Sequence, residues 1–210
     1  MAQQGVAFFA DNGILSPTDE TRSAVAFAVE TLRGAGARLA ETRPDGLDHS
    51  LELMRAVFGA DAGAGAGLLL QLAGTTEPSP LLLRLSTVLE PIHARSAAEC
   101  ATVLARWDAF RGEMLNFWQS FDALVCPVNA YAAPLHGSTF DEAHLPGFSY
   151  TMAFDLTGWP VVVVRAGTSS EGLPIGVQVV AAPWCEDVAL ALARQIETTF
   201  DDQAAASQLA

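Results

Sequence analysis

Two adjacent serines between glycines, in Gly167-Thr168-Ser169-Ser170-Glu171-Gly172, are the segment that most invites a catalytic reading. A serine is a weak nucleophile until a neighbouring base takes its proton. No base stands near these two in sequence, and flanking glycines suit a hairpin turn. Cys126 and His136 could in principle form a thiolate–imidazole pair. Yet Cys126 sits in the apolar run Ala123-Leu124-Val125-Cys126-Pro127, where burial raises a thiol pKa and makes the sulfur inert. His49, His93, His136 and His144 lie far apart and in no metal-ligand spacing, so no metal and no cofactor are expected. Gly63-Ala64-Gly65-Ala66-Gly67 resembles a nucleotide loop only superficially. It lacks the preceding strand and the G-x-G-x-x-G spacing of a dinucleotide fingerprint. The chain contains no lysine; its positive charge is 11 arginines.

Composition narrows the partners. Hydrophobic residues make up 50% of the 210, mean hydropathy is +0.28, and charged residues are 17%, against about 25% in typical domains. This fits a tightly packed α/β core, or apolar surface that belongs against a partner. A net charge of −13 repels nucleic acid and disfavours an anionic membrane. The longest charge-free apolar stretch, between Asp61 and Glu77, is short of the roughly 20 residues a membrane span needs. Cys100, Cys126 and Cys185 are too few and too widely spaced for a disulfide framework, which fits a reducing compartment. Met1 to Gly5 carries no signal-peptide pattern, so the expected location is cytoplasmic.

The elements that must position any site follow from periodicity. Val6 to Phe9 reads as a buried strand, and one so close to Met1 is what a cut inside a larger fold would leave. Ser16 as N-cap, Pro17 and Asp19 open a helix whose face is Ala24, Val25, Ala28, Val29 and Leu32, stopped by Gly34 and Gly36. Arg38 to Glu41 is a second strand, expected parallel to the first. Helical segments follow over Leu47 to Phe58, Asp61 to Ala73 and Leu81 to Leu89. Ser96 and Glu99 form a capping box for a long helix reaching about Ser120, with Val103, Trp107, Phe110, Met114, Phe117 and Phe121 as its core stripe. Ala123 to Pro127 is a buried strand, Tyr131 to Gly147 a long loop, and Phe148 to Thr157 a short helix. Val161 to Arg165 and Ile175 to Ala181 form a hairpin, and Glu186 to Phe200 is the last helix.

Three runs in order carry a family resemblance: Phe121-Asp122-Ala123-Leu124-Val125-Cys126-Pro127, then Phe154-Asp155-Leu156-Thr157-Gly158-Trp159-Pro160, then Gly172-Leu173-Pro174-Ile175-Gly176-Val177-Gln178-Val179-Val180. With the helix beginning Glu186-Asp187, this set resembles the amidase signature family. The resemblance implies a mixed α/β fold, a mixed sheet flanked by helices, as the C-terminal part of an amidase-signature fold. Residues 1–200 would form this partial domain and 201–210 a frayed tail.

The resemblance also implies a function, the hydrolysis of carboxylic amides. Family members use a Ser–Ser–Lys triad: a nucleophile serine in a Gly/Ser-rich stretch, a second serine relaying the proton, and lysine as base. This sequence has neither that stretch nor a lysine, so no residue is carried over as catalytic. Phe148, Tyr150, Met152 and Trp159 are the candidates to line an apolar substrate pocket, with plain core packing as their alternative role. Asp155 stands where the family usually has asparagine. The expected substrate is a small-molecule amide. A complementary N-terminal chain or a homo-oligomer are the partners left open. The rival reading is a non-catalytic binding or interaction protein derived from such a half.

Overall fold

A computed structural model describes residues 4–80, 82 and 95–208. Five strands form one mixed sheet: β1 (Gly5–Phe8), β2 (Arg38–Glu41), β3 (Ala123–Pro127), β4 (Val161–Thr168) and β5 (Pro174–Ala181). Their order is β2-β1-β3-β5-β4. β1 runs parallel to β2 and β3, and β5 runs antiparallel to β3 and β4. The sheet is therefore mixed, and the Gly167–Gly172 segment is the turn of the β4–β5 hairpin. There Ser169 N–H donates to Leu173 C=O at 2.8 Å and Gly172 N–H donates back to Ser169 C=O.

Successive side chains of a strand point to opposite faces, and here both faces are covered. On one face Val6, Val125, Val177 and Val179 pack under α1 (Asp19–Gly34) and the C-terminal helix, Glu186–Gln208. On the other, Ala7, Phe9, Leu124, Cys126 and Val180 pack under α2 (Ser50–Phe58) and two later helices, Ala97–Leu115 and Ser149–Thr157. With α3 at Ala64–Leu72, these last three helices are α4, α5 and α6 in chain order: Ala97–Leu115, Ser149–Thr157 and Glu186–Gln208. The predicted helix from Leu81 to Leu89 falls outside the described residues, Leu82 excepted, as does His93.

Two helix ends differ from the sequence reading. The N-cap of α1 is Thr18, not Ser16: Thr18 Oγ1 accepts from Thr21 N–H at 3.3 Å. Thr18 N–H donates to Ala130 C=O at 2.8 Å, which holds Thr18 extended, and Ser16 Oγ donates instead to Asp11 Oδ2. Helix α6 continues past Phe200 to Gln208. The Ser96–Glu99 capping box of α4 is formed, and a 3₁₀ turn, Asn116–Gln119, ends that segment. In its stripe, Val103, Phe110 and Met114 are buried, while Trp107, Phe117 and Phe121 pack partly covered beside them.

Candidate functional site

The site is built where parallel strands β1 and β3 end, the usual place for ligands in open α/β sheets. The chain after β3 loops from Val128 to Ser149 and returns as α5. Between this loop and the β4–β5 hairpin lies a cleft of about 470 Å³. Asn129, Tyr131, Pro134 and Phe148 form one wall, and Val163, Ile175 and Gly176 the floor. Gly176 keeps that floor low: a Cβ there would lie 3.3 Å from both Val128 and Val163 side chains.

Three polar side chains hold this frame from inside. Gln178, 1% exposed, donates its amide to Pro127 C=O and to Tyr150 C=O, each at 2.7 Å. It thereby ties β5 to the end of β3 and the start of α5. Tyr150 Oη donates to Leu15 C=O at 2.8 Å, and the Ala10 carbonyl lies 3.1 Å away. Burial foremost pushes the Tyr150 phenol up to about 12, so it stays a neutral donor. Asn12, fully buried, donates to Ser149 Oγ at 2.7 Å and accepts from Ile14 N–H at 2.9 Å. The loop after β1 is thus fastened to α5.

The Tyr131–Gly147 loop is packed on itself. Tyr131 Oη donates to His144 C=O, and the two rings meet edge-on at 5.4 Å. His144 Nδ1 lies 3.0 Å from Ser138 C=O. Burial raises the Tyr131 phenol. Gly147 is required by this packing, since a Cβ would come within 2.4 Å of Asn129 Oδ1 and 2.6 Å of the Tyr131 ring.

The four expected pocket residues separate. Half-buried Phe148 lines the cleft. Tyr150 and Met152 lie in the core behind it, at 1% and 9% exposure. Trp159 lines a different, smaller hollow of about 250 Å³ with Arg111, Pro160 and Trp184, and meets Trp118 edge-on at 4.9 Å. Asp155 is exposed on α5, and desolvation raises its carboxyl.

The residues set aside in the sequence stay apart from chemistry. Cys126 is sealed in β3 with its thiol pushed up by burial, while His136 is on the surface. Asp61 already occupies the N–H groups of Gly63 and Gly65 at 2.9 and 2.7 Å, leaving the Gly63–Gly67 stretch no vacancy for a phosphate there. Gln178 was the site residue hardest to see. Its signal was a lone amide among Val177, Val179 and Val180, since a polar group in a buried strand must find partners.

A family model described as Amidase matches residues 3–190. Fatty acid amide hydrolase of Arabidopsis thaliana is 32% identical over 90 residues, 40% of this chain and 15% of the relative. The 6-aminohexanoate-cyclic-dimer hydrolase of Paenarthrobacter ureafaciens is 29% identical over 123 residues, 51% of this chain and 24% of the relative. A solved structure of 6-aminohexanoate cyclic dimer hydrolase superposes with a TM-score of 0.78 at 20% identity, over 94% of this chain and 45% of that one. The chain therefore spans under half the length of these relatives.

Proposed function

This chain belongs to the amidase family, and from that premise we propose that it forms one wall of a site hydrolysing the C–N bond of carboxylic amides. The family match across residues 3–190, which include every wall of the 470 Å³ cleft, carries this reading. The nucleophilic serine, the relay serine and the lysine base come from sequence outside these 210 residues, which contain no lysine. Without them a serine has no partner to take its proton, and the tetrahedral oxyanion has no donors placed for it.

Within this reading Phe148 contacts the acyl side of the substrate. Tyr150 and Met152 support it from behind by fixing α5, and Trp159 anchors the other end of that helix. The apolar floor of Val163, Ile175 and Gly176 suits a hydrophobic acyl group, with Arg165 the one charged side chain on the cleft lining. Three unpaired cysteines are compatible with a reducing, cytoplasmic setting.

An aryl anilide assay on the isolated chain tests the division of labour. No release of aniline above the uncatalysed rate is expected. Turnover of about 1 s⁻¹ or faster from the pure chain would overturn it, because the nucleophile and base would then lie in this sequence. A second reading, a non-catalytic binder, is favoured by the lysine-free chain that still folds a cleft. It would be preferred if amides titrate the Phe148 and Gly176 resonances while no lysine-bearing polypeptide accompanies the chain in its source.

A further inference from the structure

The cleft occupies one end of the sheet, and the hollow beside Trp159 the other. Pro160 precedes β4 and Pro183 follows β5, at the end where β5 pairs with the start of β3, whereas the cleft opens where β3 ends. The two share no lining residue. Helix α5 joins them: Phe148, ahead of its first residue, lines the cleft, and Thr157, its last, lines the hollow.

This hollow of about 250 Å³ has a strained and an unsatisfied wall. Trp184 is 90% exposed with a φ of 67°, a left-handed conformation that a tryptophan rarely adopts. Backbone strain of this kind clusters at ligand sites. Trp159 is 6% exposed, and no hydrogen bond to its indole N–H forms among the described residues. Trp118 meets it edge-on at 4.9 Å, and its own buried N–H has no acceptor either. Buried donors are ordinarily paired, so this wall calls for an acceptor that the described residues do not supply.

Charges of both signs stand on the same lining. Arg111 reaches it from α4 and Glu186 from the first position of α6. Among the described residues the one ion pair of Arg111 is with Asp108, at 4.0 Å and largely exposed, so the guanidinium can take a second carboxylate. No ion pair to Glu186 forms among them.

We propose that this hollow binds a free α-amino acid with a large apolar side chain. The ligand carboxylate meets Arg111 and the Trp159 N–H, its ammonium meets Glu186, and its side chain lies against Trp184, Pro160 and Pro183. Opposite charges on one small lining select a zwitterion over a simple acid or amine, and the volume suits a ligand of that size. The inference goes beyond the amide-hydrolysing reading and uses none of the cleft, so either can fail alone.

Titration of the chain with L-phenylalanine, followed by the Trp159 indole N–H resonance, tests it. A saturable shift is expected, with a Kd on the order of 1 mM or tighter. Phenylethylamine, which lacks the carboxylate, and phenylpropionate, which lacks the ammonium, should each bind roughly tenfold more weakly. Arg111→Gln and Glu186→Gln should weaken L-phenylalanine by about the same factor, while Leu69→Asp, on exposed α3, should not. Trp184→Gly should melt no lower than wild type, since glycine takes a positive φ without strain, yet bind more weakly. The proposal fails if L-phenylalanine on the order of 10 mM leaves the Trp159 resonance in place. It fails equally if either fragment binds as well as the amino acid. Wild-type affinity in both Arg111→Gln and Glu186→Gln would show surface contact with the aromatic ring alone and would also overturn it.

Discussion

Gln178 shows how one side chain can set a site without touching a ligand. Its two hydrogen bonds satisfy carbonyls of Pro127 and Tyr150 that are otherwise shut away from water. Gln178→Leu would remove both bonds, and the Tyr150 carbonyl would keep only its place in the α5 ladder; urea unfolding should show a loss of about 2 kcal/mol. Asp155 makes the opposite point, an exposed carboxylate whose charge is opposed by partial desolvation against its neighbours. Desolvation raises its folded pKa above the ordinary 3.8, and no ion pair to it forms among the described residues. The folded state thus binds the proton more tightly, and the charge lowers stability as pH rises through that raised value. Asp155→Asn should raise the melting temperature at neutral pH, and the gain should vanish below about pH 3.8. Solvent screening keeps the gain to about 0.5 kcal/mol or less. A difference between Asp155→Asn and wild type that is no larger at neutral than at acid pH would refute this account.

At the scale of elements, α1 depends on a cap that its own sequence left ambiguous. Ser16, Pro17 and Thr18 offer two hydroxyls, and local preference admits either. The bond from Thr18 N–H to Ala130 C=O, across |i−j| of more than a hundred residues, decides for Thr18. Thr18→Ala should cost about 1 kcal/mol in thermal unfolding, and Ser16→Ala about 0.5 or less; equal losses would contradict the assignment. By contrast the Ser96–Glu99 box of α4 was legible at once, because both partners lie within one turn. The hairpin of β4 and β5 was legible too, from its valines and bounding glycines. Its length was not: β4 runs on to Thr168 through a bulge between Arg165 and Gly167, which depends on pairing with β5.

The whole molecule carries −13 on a small sheet-and-helix body, with few ion pairs among the described residues to offset it. Like charges then press the folded state apart more than the unfolded one. Raising ionic strength from near zero to physiological, where the screening length is about 8 Å, should raise the melting temperature of the isolated chain. A midpoint indifferent to salt would show that the charge is locally balanced. No helix among the described residues is long and apolar enough to cross a membrane.

Residue order alone determined the parts whose causes are local. The apolar period of α1 and α4, the buried run of β3, the hairpin and the three runs shared with amidases are written within a few turns of chain, and the missing lysine is a matter of counting. The tertiary structure decided what depends on residues far apart in sequence. It sent Tyr150 and Met152 into the core while Phe148, on the same short segment, faced the cleft, because helical rotation is fixed by what α5 packs against. It placed Trp159 at another hollow, made Gln178 the brace between two strands and a helix, and left Val161 and Val163 uncovered on a strand that opens with four valines. Periodicity reports that a side chain wants burial; only the neighbouring layer determines whether it is buried, lines a cleft or waits at an open edge.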